Sequence, residues 1–259
     1  NIRVCCRFRP LNDHEKDEEA KLNISNSNHL SFSSDLKQVT IINKTHHMEQ
    51  MSHLNDKINF NYDNILNDNH SQADVFHNTA ENLIDPLFEG YNVTIFAYGQ
   101  TGSGKTHTMM GPESNPGIMV RVMSDLFLTC KENSKSLCVN YKVTVSFLEV
   151  YNENIRDLLN NNTDGTDEYL DLREDPIKGP VVAGITEVEA NSGNEVMNLL
   201  HKGNSKRSQA ATAANEVSSR SHAVLQVLVE CRDRAPGTSD AIKVGKLSLI
   251  DLAGSERAA

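Results

Sequence analysis

Val93-Thr94-Ile95-Phe96-Ala97-Tyr98-Gly99-Gln100-Thr101-Gly102-Ser103-Gly104-Lys105-Thr106 is an apolar run, then a glycine-rich turn, then the polar start of a helix. From Gly99 onward it has the spacing G-x4-G-K-[ST] of a phosphate-binding loop. The glycines let successive backbone N–H groups turn onto phosphate oxygens with no Cβ in the way. The Lys105 ammonium reaches the β and γ phosphates, and the Thr106 hydroxyl can ligate Mg²⁺. The helix that follows turns its positive end toward the anion. Gly99, Gln100, Thr101, Gly102, Ser103, Gly104, Lys105 and Thr106 are therefore the candidate nucleotide-binding residues, with the phosphates of a nucleotide and Mg²⁺ as ligands. A buried strand over 93–98 before the loop and a helix after it are the setting that the motif requires. They place the chain in the α/β class, with a P-loop NTPase fold.

The partner of such a loop is an aspartate at the end of a neighbouring strand. Leu247-Ser248-Leu249-Ile250-Asp251 supplies it, and Asp251-Leu252-Ala253-Gly254 gives D-x-x-G. Asp251 can hold a Mg²⁺-bound water, and the Gly254 N–H can contact a γ phosphate and sense its loss. A guanine-reading Asn-Lys-x-Asp is lacking, since Asn43-Lys44-Thr45-His46 ends in histidine, which disfavours GTP.

Working outward, β-prone runs occupy 2–8, 139–151, 223–231 and 242–252, with two short strands around 176–180. Helical patterns cover 71–89, with Ser71 as N-cap, then 119–132 and 194–208. The alternation implies a central mixed sheet with a mostly parallel core and helices on both faces. Residues 11–53 read as a polar, poorly ordered excursion carrying minor strands, with an acidic cluster over 13–19.

The chain has 259 residues, 38% hydrophobic and 23% charged, which is the balance of a globular domain. With 25 basic against 35 acidic side chains the net charge is -10, so a nucleic-acid partner held by bulk charge is not expected. There is no apolar run of about 18 residues, so no membrane partner is expected. Five cysteines (Cys5, Cys6, Cys130, Cys138, Cys231) without C-x-x-C spacing point to free thiols rather than a disulfide framework or a zinc site. His46, His47 and His53 read as a solvated loop. Lys202, Lys206 and Arg207 read as a solvated helix end that could also meet an acidic partner.

Asn215-Glu216-Val217-Ser218-Ser219-Arg220-Ser221-His222 resembles the N-x-x-S-S-R-S-H switch I of kinesins. Asp251-Leu252-Ala253-Gly254-Ser255-Glu256 is similar to their switch II, residues 96–109 to their P-loop region, and Arg7-Phe8-Arg9-Pro10 to their entry strand. The stretches 85–92 and 207–223 look most like the kinesin-8 subfamily. The resemblance implies a motor domain over 1–259 and an ATP hydrolase coupled to microtubule binding and movement, with plus-end depolymerisation left open. It implies a cytoplasmic, cytoskeletal location on microtubules or the spindle. Any dimer would form through regions outside this chain.

The resemblance also implies roles. Arg9 and Pro10 would line the adenine face and His107 its other side, with Asn215 among the cofactor-binding residues. Ser218 and Ser219 would approach the γ phosphate and the attacking water, with Thr106, Ser219 and, through water, Asp251 holding Mg²⁺. Arg220 and Glu256 would form a salt bridge once both switches close. Lys178 lies in a region that would touch tubulin. Kinesin motor domains continue beyond switch II, so the domain is expected to be incomplete at Ala259, and the isolated fragment to expose apolar sheet surface. Two other readings stay open: a nucleotide- or filament-binding module without turnover, and a different P-loop enzyme such as a phosphotransferase. The intact switch motifs disfavour the first and the serine-rich switch I the second.

Overall fold

The computed structural model describes residues 2–22, 30–43, 56–136, 139–160, 169–176, 179–211, 220–233 and 242–256. They fall into two compact units, residues 1–79 and 80–259.

In the first unit β1 (Cys5–Arg7) is followed by α1 (Asp13–Leu22), then by β2 (Leu30–Phe32), β3 (Gln38–Asn43) and β4 (Asp56–Asn61), which form an antiparallel sheet in that order. β5 (Asn64–Leu66) pairs parallel with β1, and α2 (Gln72–Thr79) closes the unit. The excursion expected over 11–53 thus contains a helix that no apolar periodicity announces. α1 has no apolar stripe; its start is fixed by polar contacts instead. The Glu15 N–H donates to Asn12 Oδ1 and the Asn12 N–H to Glu15 Oε2, both at 2.8 Å, a reciprocal cap. Arg9 then grips the same carboxylate through two hydrogen bonds of 2.7 and 2.5 Å. These contacts, Arg9 first and the Asn12 amide second, hold the Glu15 carboxyl down to about 2. Ser71 caps α2 as expected: its Oγ accepts from the Asp74 N–H at 3.2 Å, and its own N–H donates to Asp74 Oδ2 at 2.8 Å.

The single helix expected over 71–89 breaks into α2, a 3₁₀ turn (Glu81–Leu83) and α3 (Asp85–Phe88). Pro86 accounts for the start of α3. It has no N–H for an interior helical bond, and here it sits in the first turn of α3, where none is required.

The second unit continues with β6 (Val93–Ala97), α4 (Lys105–Met109), α5 (Ile118–Ser136), β7 (Val139–Tyr151), β8 (Asn154–Asp157), the hairpin β9 (Leu172–Asp175) and β10 (Gly179–Val182), β11 (Val188–Ala190), α6 (Gly193–Ala211), β12 (His222–Asp233) and β13 (Lys243–Asp251). Its main sheet has the order β11-β7-β12-β13-β6, with β8 also paired to β7. The sheet is mixed, and its parallel part among the described residues is the single pair β6–β13. Among the described residues β6 is hydrogen-bonded on one side only. Phe96 and Tyr98, expected inside a buried strand, are exposed: with Thr94 they alternate with the half-buried Val93, Ile95 and Ala97 and so project to a solvent face.

Register places Val143, Val145 and Phe147 of β7 on one face with Leu225, Val227 and Val229 of β12 and with Gly245, Leu247 and Leu249 of β13. All of them are buried. α6 reaches this face through Gly203, where a Cβ would lie 2.5 Å from Phe147 Cδ1. α3 reaches the same face at Gly245, where a Cβ would overlap the Leu87 carbonyl. Register thus places α3 and α6 against this face.

The two glycines give a comparative prediction. A ring can rotate away but a backbone carbonyl cannot, and alanine at 203 gains about 1 kcal/mol of helix propensity. Gly245→Ala should therefore cost about 1–3 kcal/mol, lowering the melting temperature by roughly 2–4 °C per kcal/mol, while Gly203→Ala costs less. Thermal melts of the two variants decide it, and a larger loss at 203 would refute this account of the packing.

Candidate nucleotide site

The parallel pairing sets Ala97 beside Asp251, so the loop after β6 and the segment after β13 leave the sheet at the same end. Gly102 and Gly104 have φ of 80° and 93°, and Gly104 is the N-cap of α4. At Gly99, with φ of 157°, a Cβ would lie 2.6 Å from Ser103 Oγ and 3.3 Å from Ser103 Cβ, so a side chain there would crowd the tight return of the loop. Lys105 Nζ donates to the Gly99 and Gln100 carbonyls at 3.0 and 2.9 Å, which holds the ammonium at the mouth of the loop.

The segment 251–256 meets the loop at three places. The Thr106 hydroxyl donates to Asp251 Oδ2 at 2.7 Å. The Ser255 N–H donates to the Gly99 carbonyl at 3.0 Å. The Thr101 N–H donates to Glu256 Oε2 at 2.9 Å, and the Thr101 hydroxyl donates to Glu256 Oε1. That hydroxyl, followed by the amides of Glu256 and Thr101, holds the Glu256 carboxyl down to about 2. Gly254 lies beneath this contact. A Cβ there would overlap the Glu256 carboxylate and come within 2.5 Å of Thr101 Oγ1.

Asp251 is 3% exposed, and its Oδ1 is buried without a hydrogen-bond partner. A carboxylate oxygen only accepts, so a buried unpaired one calls for a cation or a water. Together with the Thr106 hydroxyl it offers the hard oxygen donors that Mg²⁺ requires, so these residues fit the metal.

The other expected site residues are placed less completely. Arg220 is exposed at the entry to β12, and no ion pair joins it to Glu256 among the described residues. Asn215, Ser218 and Ser219 lie outside the described residues, as do Lys178, Cys138 and His46, His47 and His53. Arg9 and Pro10 belong to the first unit, where Arg9 also donates to the Pro10 carbonyl at 3.0 Å. His107 is exposed on α4. His222 Nδ1 accepts from the Ala253 N–H at 3.1 Å, a link between switch flanks that the sequence reading did not foresee.

Arg207 corrects the solvated helix end. It is 7% exposed, it donates to Glu149 and Ser221, and it lies 3.8 Å from Asp251 Oδ2. Lys206 donates to the Asn160 carbonyl, and Lys202 alone of the three is exposed. The signal was in the spacing: Val196, Leu200, Gly203 and Arg207 form one helical stripe, and all four are buried.

The family model described as the kinesin motor domain matches residues 7–259. The chain belongs to the kinesin motor domain family. It is 41% identical to a kinesin-like protein KIF19 of Xenopus laevis, over 99% of this chain and 25% of that protein. It is 47% identical to a kinesin-like protein KIN-8A of Arabidopsis thaliana, over 77% of this chain and 26% of that protein. These relatives bear out the likeness to the kinesin-8 subfamily. The chain spans about a quarter of the length of such curated relatives. It also matches the solved structure of a fast kinesin, studied for its ATPase mechanism and its interactions with microtubules, with a TM-score of 0.83 and 30% identity over 100% of this chain and 67% of that one.

Proposed function

We propose that this chain is the ATP-hydrolysing part of a microtubule motor of the cytoplasmic cytoskeleton. The observation that carries the reading is the junction of Thr106 with Asp251, with one Asp251 oxygen left unpaired and buried. It joins a phosphate-binding loop to the first residue of a switch, the arrangement that lets a γ phosphate be both held and sensed.

In this reading Lys105 and the loop amides bind the β and γ phosphates of ATP. Thr106, Ser219 and, through water, Asp251 hold Mg²⁺, which neutralises charge on the phosphate oxygens. Ser218 and Ser219 orient the attacking water. The Gly254 N–H meets the γ phosphate, and its movement draws Glu256 from Thr101 toward Arg220. Arg9, Pro10 and His107 line the adenine, with Asn215 nearby. No strong general base is invoked, so positioning and electrostatics supply most of the rate. An acidic filament is met through local basic contacts such as Lys178, despite the net charge of -10.

The experiment is phosphate release from ATP by the purified protein, with and without microtubules. Turnover that microtubules accelerate is the expected result; ATP binding with no release in either condition would leave a binding module instead. The kinesin-8 likeness extends the reading to plus-end depolymerisation, which shortening of stabilised microtubules in ATP tests.

A further inference from the structure

Asp251 lies in a buried charge cluster behind the phosphate loop. The sheet register builds it. Glu149, Ala223 and Asp251 are direct neighbours across β7, β12 and β13, and paired residues project to the same face. Two carboxylates, 2% and 3% exposed, therefore flank a single methyl group. Burying two anions side by side is costly unless a cation with matching hydrogen bonds joins them. α6 brings Arg207 to this place at the end of its buried stripe.

The guanidinium uses all three nitrogens. Nε donates to Glu149 Oε1 at 3.2 Å and to Ser221 Oγ at 3.2 Å. Nη2 donates to the Ser221 carbonyl at 2.9 Å and to Ser221 Oγ at 3.1 Å. Nη1 lies 3.8 Å from Asp251 Oδ2. On the far side Arg156 Nη1 is 3.9 Å from Glu149 Oε2. A planar fork with acceptors on two elements and a carboxylate on a third has one orientation that serves them all, which a lysine's point charge does not reproduce.

We propose that Arg207 is a positioning residue of the nucleotide site. It fixes the Asp251 carboxylate so that Oδ2 faces Thr106 and Arg207 while Oδ1 is left for the magnesium shell, and it anchors Ser221 at the end of switch I. The inference rests on the ATPase reading above. Glu149 in the sheet, Ser221 near the end of switch I and Asp251 at the start of switch II all bear on one guanidinium. Movement of either switch therefore acts on the residue that orients the metal-side carboxylate.

The test uses Arg207→Lys and Ser221→Ala in the purified protein. Two quantities are read: the melting temperature, and the free Mg²⁺ concentration at which a fluorescent ADP analogue is half retained. Groups that orient metal-side ligands change metal affinity by about 10–100-fold, so Arg207→Lys should raise the Mg²⁺ midpoint by about tenfold or more. Analogue affinity in EDTA should stay at the wild-type value. Ser221→Ala removes two of the guanidinium's contacts without changing charge, and should move the midpoint in the same direction by less. A lower melting temperature with an unchanged Mg²⁺ midpoint would make Arg207 a packing strut and overturn the proposal. If Arg207→Lys does not fold, an unchanged midpoint in Ser221→Ala overturns it alone. A wild-type protein that retains no analogue at any Mg²⁺ concentration fails the ATPase reading itself, and this inference with it.

Discussion

Lys105→Ala weakens Mg·ATP binding by one to two powers of ten while leaving the melting temperature of the nucleotide-free protein nearly unchanged. The first half follows from charge. The ammonium is the side-chain cation of the loop, and hydrogen bonds to charged groups contribute about 1.5–3 kcal/mol, with about 1.4 kcal/mol for each factor of ten. The second half follows from where the ammonium sits. Its partners are the Gly99 and Gln100 carbonyls, and the loop around them is largely open to solvent. Water replaces the lysine on such carbonyls, so little folding stability is lost. The Ser255 N–H keeps its own bond to the Gly99 carbonyl, which holds the loop in register with switch II. Isothermal titration with ATP and Mg²⁺, beside a melt of the nucleotide-free variant, separates the two halves. Unchanged affinity would show that the loop is not the phosphate cradle. Lost affinity with a large drop in melting temperature would show that the lysine supports the fold instead.

The loop was legible because its chemistry is local. Eight consecutive residues carry the glycine conformations, the cation and the hydroxyl, and the strand and helix on either side are the only context needed. Asp251 was legible for the same reason. What the sequence did not reveal depends on register and on polar contacts. α1 has no apolar period, and its cap is written in Asn12 and Glu15, a box that passes for part of an acidic cluster. β8 turns back from β7 through Asn152 and Glu153, whose φ values of 48° and 65° belong to a hairpin turn that glycine usually announces. Pro86 opens a new short helix, α3, where the apolar residues alone read as one continuous helix. Arg207 was read by charge, as surface, when its place on the Val196-Leu200-Gly203 stripe already required it to be buried and therefore paired. The carboxylates it pairs with, Glu149 and Asp251, are about a hundred residues apart in sequence and become neighbours only once β12 lies between their strands.

Glu256→Ala should leave ATP binding nearly intact and slow hydrolysis by about 100-fold or more, the scale set by loss of one electrostatic group that acts in the transition state. Glu256 touches no phosphate in the proposed site. In this structure its carboxylate holds the N–H and hydroxyl of Thr101, and in the proposed closed state it meets Arg220. The alanine variant removes both contacts, so a second substitution is needed to tell them apart. Glu256→Gln keeps an acceptor oxygen for Thr101 but brings no charge to Arg220. If closure is the important contact, glutamine behaves like alanine; if the grip on Thr101 is, glutamine behaves like wild type. The first is expected, because the grip on Thr101 must be released for the switch to close. The pH dependence gives an independent check. A carboxyl lowered from its ordinary 4.5 to about 2 keeps its contacts fully at pH values above 4.5 and loses them only as pH falls through about 2. Protection of the Thr101 amide against hydrogen exchange, corrected for the intrinsic rate, should therefore be flat from pH 5 to pH 8 in the wild type and low throughout in Glu256→Ala. Single-turnover hydrolysis near the wild-type rate in the alanine variant would rule out closure through Glu256. A Thr101 amide as well protected in that variant as in the wild type would show that the loop is held without it.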